Sequence, residues 1–105
     1  MPRLTITWQM SSEESALFEL TGSKAKARIV RHVAQHGPIS TADVAAAIGV
    51  HHVTAAKHLA ELDAAGVVRA SHDAGSRVGR AITWAVDEAG IQHIADRWRD
   101  YLAGR

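Results

Sequence analysis

The sequence has no cysteine. That excludes disulfides, thiolate metal sites and cysteine nucleophiles together, and it fits a reducing compartment, where disulfides are rare. No apolar run approaches the roughly 20 residues needed to cross a bilayer. Met1 to Met10 lacks the basic start and apolar core of a signal peptide. A soluble, cytoplasmic protein with no membrane partner is therefore expected. Strong charge of either sign is missing as well. Net charge is +1, so any attraction to a polyanion must come from local patches. There is no glycine-rich phosphate loop, no paired-acid constellation and no serine–histidine–aspartate arrangement that a fold of this size would assemble, so no enzyme is expected.

What is present is one compact core's worth of apolar residues. The chain has 105 residues, 47% of them hydrophobic, which suits a single domain over 1–105 and is too short for two. Alanine is abundant, which favours helix. Leu4 to Trp8 alternates like a short strand, giving an N-terminal strand or arm over 1–10. Ser11 to Glu14 starts a helix with Leu17, Phe18 and Leu20 on one face. Ser23 caps a second helix, Lys24 to Gln35, whose Ile29, Val30 and Val33 recur at helical spacing. Ile39 hints at a strand. Ser40 or Thr41 caps a third, short helix through Ile48. After Gly49, a fourth helix over His51 to Ala65 turns Ala55, Leu59 and Leu62 inward. Val67 to Ser71 and Arg80 to Val86 form a β-hairpin around the polar tip HDAGSRVG. A last helix runs from about Glu88 to Leu102, with Ile91, Ile94, Ala95, Trp98 and Leu102 on one stripe.

Two helices crossing steeply need a turn with φ > 0, a small residue at the crossing and apolar anchors on both sides. Gly49 supplies the first and Ala45 the second, while Ile48, Val50, Ala55, Leu59 and Leu62 supply the third. The alternative is an ordinary helical hairpin in a small bundle; the basic β-hairpin that follows argues against it, being the arrangement of a winged helix. The fold expected is mainly α (α+β): a winged helix-turn-helix with a three-helix core, a β-hairpin wing and flanking N- and C-terminal helices.

The run VAAAIGVHHVTAAKHLAELDAAGVVRASHD resembles the small winged-helix bacterial regulators of the ArsR type. Their pattern is matched here by Val44-Ala45, Gly49, His51 to Thr54, Lys57-His58-Leu59 and Gly66-Val67-Val68. SKAKARIVRHVA resembles their first core helix. The helix-turn-helix part is shared with MarR-like and other winged-helix groups. The chain departs at Ala56, where the family often has serine, and in the Leu4 to Trp8 strand.

The resemblance implies a transcriptional regulator of double-stranded DNA. A major groove admits an α-helix, whose first turns reach base edges. That places His51, His52, Val53, Thr54 and Lys57 at the groove: lysine and histidine on guanine or phosphate, Val53 or Thr54 on a thymine methyl. Arg77 and Arg80 on the wing suit the minor groove or its phosphates. Ser40 and Thr41 could hold a phosphate at a helix start. Lys24, Lys26, Arg28 and Arg31 form a second basic region, from which Arg28 or Lys24 could reach backbone, or which merely offsets Glu13, Glu14 and Glu19. His58 is read as structural.

The family dimerises through terminal helices, so a homodimer is expected through 88–105, with Leu17, Phe18, Ile91, Ile94, Trp98 and Leu102 at the interface. The stripe could equally complete the monomer core. His93 and Asp96 could share a metal ion, as could His32 and His36, but a zinc site needs about four ligands; no metal and no cofactor are expected. A repressor is the first reading. A winged-helix module that binds protein, and a phage or plasmid accessory factor for recombination or replication, stay open.

Overall fold

The computed structural model describes residues 22–72 and 81–105. Over these the elements follow in order: α1 (Lys24–His36), β1 (Ile39–Ser40), α2 (Thr41–Ile48), α3 (His52–Ala64), β2 (Val68–Ala70), β3 (Thr83–Val86) and α4 (Glu88–Leu102). The expected N-terminal strand and first helix, with Leu17 and Phe18, lie outside the described residues, as does the hairpin tip with Arg77 and Arg80.

Each helix start follows from a local polar side chain that satisfies a backbone N–H left without a helical partner. Ser23 Oγ accepts from Lys26 N–H at 3.2 Å and opens α1. Ser40 Oγ accepts from Asp43 N–H at 3.2 Å and opens α2. Asp87 Oδ1 accepts from Gly90 N–H at 3.1 Å and opens α4. Between α2 and α3, Gly49 adopts φ 80°, a left-handed conformation that costs a residue with a Cβ more than glycine. Gly49 N–H and Val50 N–H both reach the Ala45 carbonyl, at 2.9 and 3.1 Å. Ala45 itself is buried, as the crossing requires.

Three strands make one antiparallel sheet in the order β1-β3-β2. Ile39 pairs with Trp84 and Ser40 with Thr83; Val68 pairs with Val86, Arg69 with Ala85 and Ala70 with Trp84. The single-residue strand hint at Ile39 thus becomes the third strand of the wing sheet. Among the described residues the returning strand runs Thr83–Val86, with Ala81 and Ile82 outside it.

The core lies where α1, α2 and α3 meet the sheet: Ile29, Val33, Val44, Leu59, Leu62, Val67, Val68 and Trp84 are all buried. Leu59 and Leu62 are three apart and share the inner face of α3, as helical spacing requires. Burying side chains of this size contributes about 1.5–3 kcal/mol each. The architecture is mainly helical with a small antiparallel sheet, as the sequence led us to expect.

α4 is joined to this core at its start. A Cβ on Gly90 would sit 1.7 Å from the Gly66 carbonyl oxygen. The first turn of α4 therefore crosses directly over the turn between α3 and β2, and only a residue without a side chain fits there.

Candidate nucleic-acid interface

α3 is amphipathic in a specific way. Ala55, Leu59 and Leu62 are buried, while His52, Val53, Thr54, Lys57 and Ala60 are exposed. Val53, Lys57 and Ala60 follow i, i+4, i+7 spacing and form one outward stripe. Val53 is 67% exposed. The helix is held from behind by α1, α2 and β2.

The helix starts one residue later than expected. His51 is the cap, with extended backbone at φ −65°, ψ 147°. Its ring turns back on its own helix, and Nδ1 accepts from Val53 N–H at 3.2 Å. Histidine thus does what serine or aspartate usually does at this position.

Ser40 and Thr41 are both engaged within the protein. Ser40 Oγ caps α2, as above. Thr41 Oγ1 accepts from Trp84 Nε1–H at 2.9 Å, which ties the start of α2 to the wing strand β3. Each hydroxyl keeps its own proton for donation. Trp84 was missed as a partner in the sequence. The signal was there, because an indole N–H usually finds an acceptor when the ring is buried.

The second basic region divides. Lys24, Arg28 and Arg31 are exposed, but Lys26 is buried. Lys26 Nζ lies 3.3 Å from Glu61 Oε1, joining α1 to the back of α3. Lys26 is thus engaged inside the fold, while Lys24 and Arg28, the two expected to reach backbone, are exposed. His58 Nδ1 lies 3.4 Å from the same oxygen, in ion-pair range but outside hydrogen-bond geometry, which fits a structural role. Burial pushes the Glu61 carboxyl up, but the Lys26 ammonium and His58 outweigh it, aided by Lys57, and the net direction is down. Glu61, half-exposed on α3, is thus turned toward α1.

A cation the sequence reading passed over stands at the wing base. Arg69 on β2 has a side chain 74% exposed. Its Nε and one terminal nitrogen lie 2.8 and 2.7 Å from Asp87 Oδ2. The Gly90 N–H and then the Arg69 guanidinium hold the Asp87 carboxyl below its ordinary range.

On α4 the expected interface stripe splits in two. Ile91 and Ile94 are half-buried and packed against the core. Beyond them, Trp98 stacks on Tyr101 with ring centroids 5.7 Å apart, and Leu102 is 67% exposed. Asp96 Oδ1 accepts from Gln92 Nε2 at 3.0 Å and lies 3.3 Å from the Arg99 guanidinium. Among the described residues no three potential metal ligands come together. The His32 and His36 rings do meet, with centroids 4.4 Å apart.

Residues 25–87, more than half of the chain, match the family model described as FaeA-like protein. No curated protein matches the chain. Among solved structures, a possible transcriptional regulator for arsenical resistance is similar at 20% identity and a TM-score of 0.67, over 82% of this chain and 83% of that one. The homodimeric winged helix-turn-helix DNA-binding domain of a possible ArsR-family regulator from Mycobacterium bovis is similar at 18% identity and a TM-score of 0.62, over 91% of this chain and 89% of its own. MarR is similar at 22% identity and a TM-score of 0.56, over 84% of this chain and 67% of its own. At these identities the likeness is one of fold, and that fold is the winged helix-turn-helix.

Proposed function

Because the chain belongs to the FaeA-like family, a winged-helix family, we propose that it is a sequence-specific, double-stranded DNA-binding transcriptional regulator, a repressor acting in the cytoplasm. It binds as a homodimer with α3 in the major groove and the wing, through Arg77 and Arg80, on the minor groove or backbone. The observation that carries this reading is the outward stripe of α3. His52, Val53, Thr54 and Lys57 offer donors, one cation and an apolar contact on a helix whose other face is buried. That is the chemistry a groove asks for. Ser40 and Thr41 donate to phosphate from the start of α2. The whole chain acts as one domain, with residues 1–10 as an arm and 88–105 as the dimerisation segment, where Trp98 and Leu102 meet the second copy.

With one exposed lysine on α3, each copy binds weakly, and two are needed for useful occupancy. The similar Mycobacterium bovis domain is homodimeric, which supports the pairing. Selection from random duplexes at two salt concentrations tests the proposal. A two-fold symmetric site with salt-dependent affinity is expected. Absence of duplex binding at low salt would overturn it and favour a module that docks on protein.

A further inference from the structure

We infer that His51 is a donor-only reader at this surface, offering its Nε2–H to a hydrogen-bond acceptor on a purine edge, guanine before all. The inference rests on the DNA-binding reading above and deepens it, fixing which ring nitrogen of His51 serves and which base edges it can discriminate.

The ring's chemistry follows from its bond to the backbone. Val53 N–H donates to Nδ1 at 3.2 Å, so Nδ1 must carry a lone pair. A neutral imidazole with a lone pair on Nδ1 carries its proton on Nε2. A cationic ring would surrender the Val53 bond, because both nitrogens would then donate. The ring is thus anchored to its own helix through Nδ1, on an exposed residue, and its Nε2 is left as a donor.

Position gives that polarity a meaning. His51 leads α3, and in helix-turn-helix docking the first residues of the second helix meet base edges. The major groove presents acceptors at guanine N7 and O6, and donors at the cytosine and adenine amino groups. A ring that only donates favours the first and is mismatched to the second. Being neutral, it releases no counterion, so it shapes sequence preference without adding to the salt dependence.

Two measurements test this. Nitrogen NMR of the histidine rings in the free protein at pH 8 should find His51 with Nε2 protonated and Nδ1 bare; the opposite tautomer overturns the inference without reference to DNA. Duplex selection is then repeated with His51→Ser, which retains a capping oxygen and should keep the unfolding midpoint. One position in each half-site should lose about fivefold in its preference for guanine, with the salt slope unchanged. An unaltered selected site overturns the inference and leaves the regulator reading standing. Equal weakening on every sequence assigns the Nε2–H to a phosphate and overturns the base contact. If the wild-type protein selects no sequence, both readings fall.

Discussion

Trp84 and Thr41 are joined by a 2.9 Å hydrogen bond from the indole N–H to the threonine hydroxyl. It links the central strand of the wing sheet to the first residue of the helix-turn-helix. A hydrogen bond of this kind contributes about 0.5–1.5 kcal/mol net. A double-mutant cycle with Trp84→Phe and Thr41→Val should return a coupling of about 1 kcal/mol in urea unfolding. Strict additivity would show that the bond does not hold the wing to α2.

Gly90→Ala should destabilise the fold by about 1–3 kcal/mol. The new methyl would sit 1.7 Å from the Gly66 carbonyl oxygen, and backbone at that distance cannot move aside without tilting α4. Equilibrium unfolding measures the loss, and an unchanged midpoint would refute the close crossing.

Asp87 makes part of the stability depend on pH. Its carboxyl is held below the ordinary range by the Gly90 N–H and Arg69, so its contribution is fully present above the unfolded-state value of about 3.9. That contribution is lost as pH falls through the lower, folded-state value. Asp87→Asn keeps a capping oxygen and removes the charge. The variant should be less stable than wild type at pH 7, and the gap should close below about pH 4. Urea unfolding at pH 7 and pH 3 checks it; a gap that persists in acid would contradict the assignment.

Lys57 and Val53 should separate affinity from preference. Lys57→Ala should weaken binding on all duplexes and lower the salt slope by about 0.9. Val53→Ser should leave the slope alone and cost about fourfold in preference for thymine at one position, the worth of an apolar methyl contact. Filter binding across a salt series on matched and mismatched sites distinguishes the two patterns.

Leu102→Asp should convert a dimer to a monomer in analytical ultracentrifugation. The residue is 67% exposed in the single chain, so the monomer fold itself should survive. Retention of the dimer would move the interface away from the end of α4.

The helix-turn-helix could be read from the sequence because its determinants are local. Gly49, Ala45 and the Leu59/Leu62 spacing each say something about their own neighbourhood, and the exposed stripe of α3 follows from the buried one. What escaped the sequence reading is long-range. The ion pair that buries Lys26 joins α1 to Glu61 on α3, and the one that engages Arg69 joins β2 to Asp87. Local periodicity encodes neither docking. Gly90 reads locally as a poor helix former, and only the crossing with Gly66 explains it. Ile91 and Ile94 lie on the expected interface stripe and also pack against the core, because helical phase alone does not separate a core from a partner. The His51 ring bond needed the helix boundary to one residue, which is finer than propensity resolves.

The contact between Gly90 and Gly66 leaves no slack where the long C-terminal rod leaves the globule. Gly66 also closes the far end of α3, so any swing of that rod is felt directly at the base of the helix proposed to enter DNA. Two molecules clasped through their rods would hold their probing helices at one separation, like the jaws of a fixed caliper. Targets with half-sites moved apart or closer by even a base pair or two should then be refused, however well each half matches.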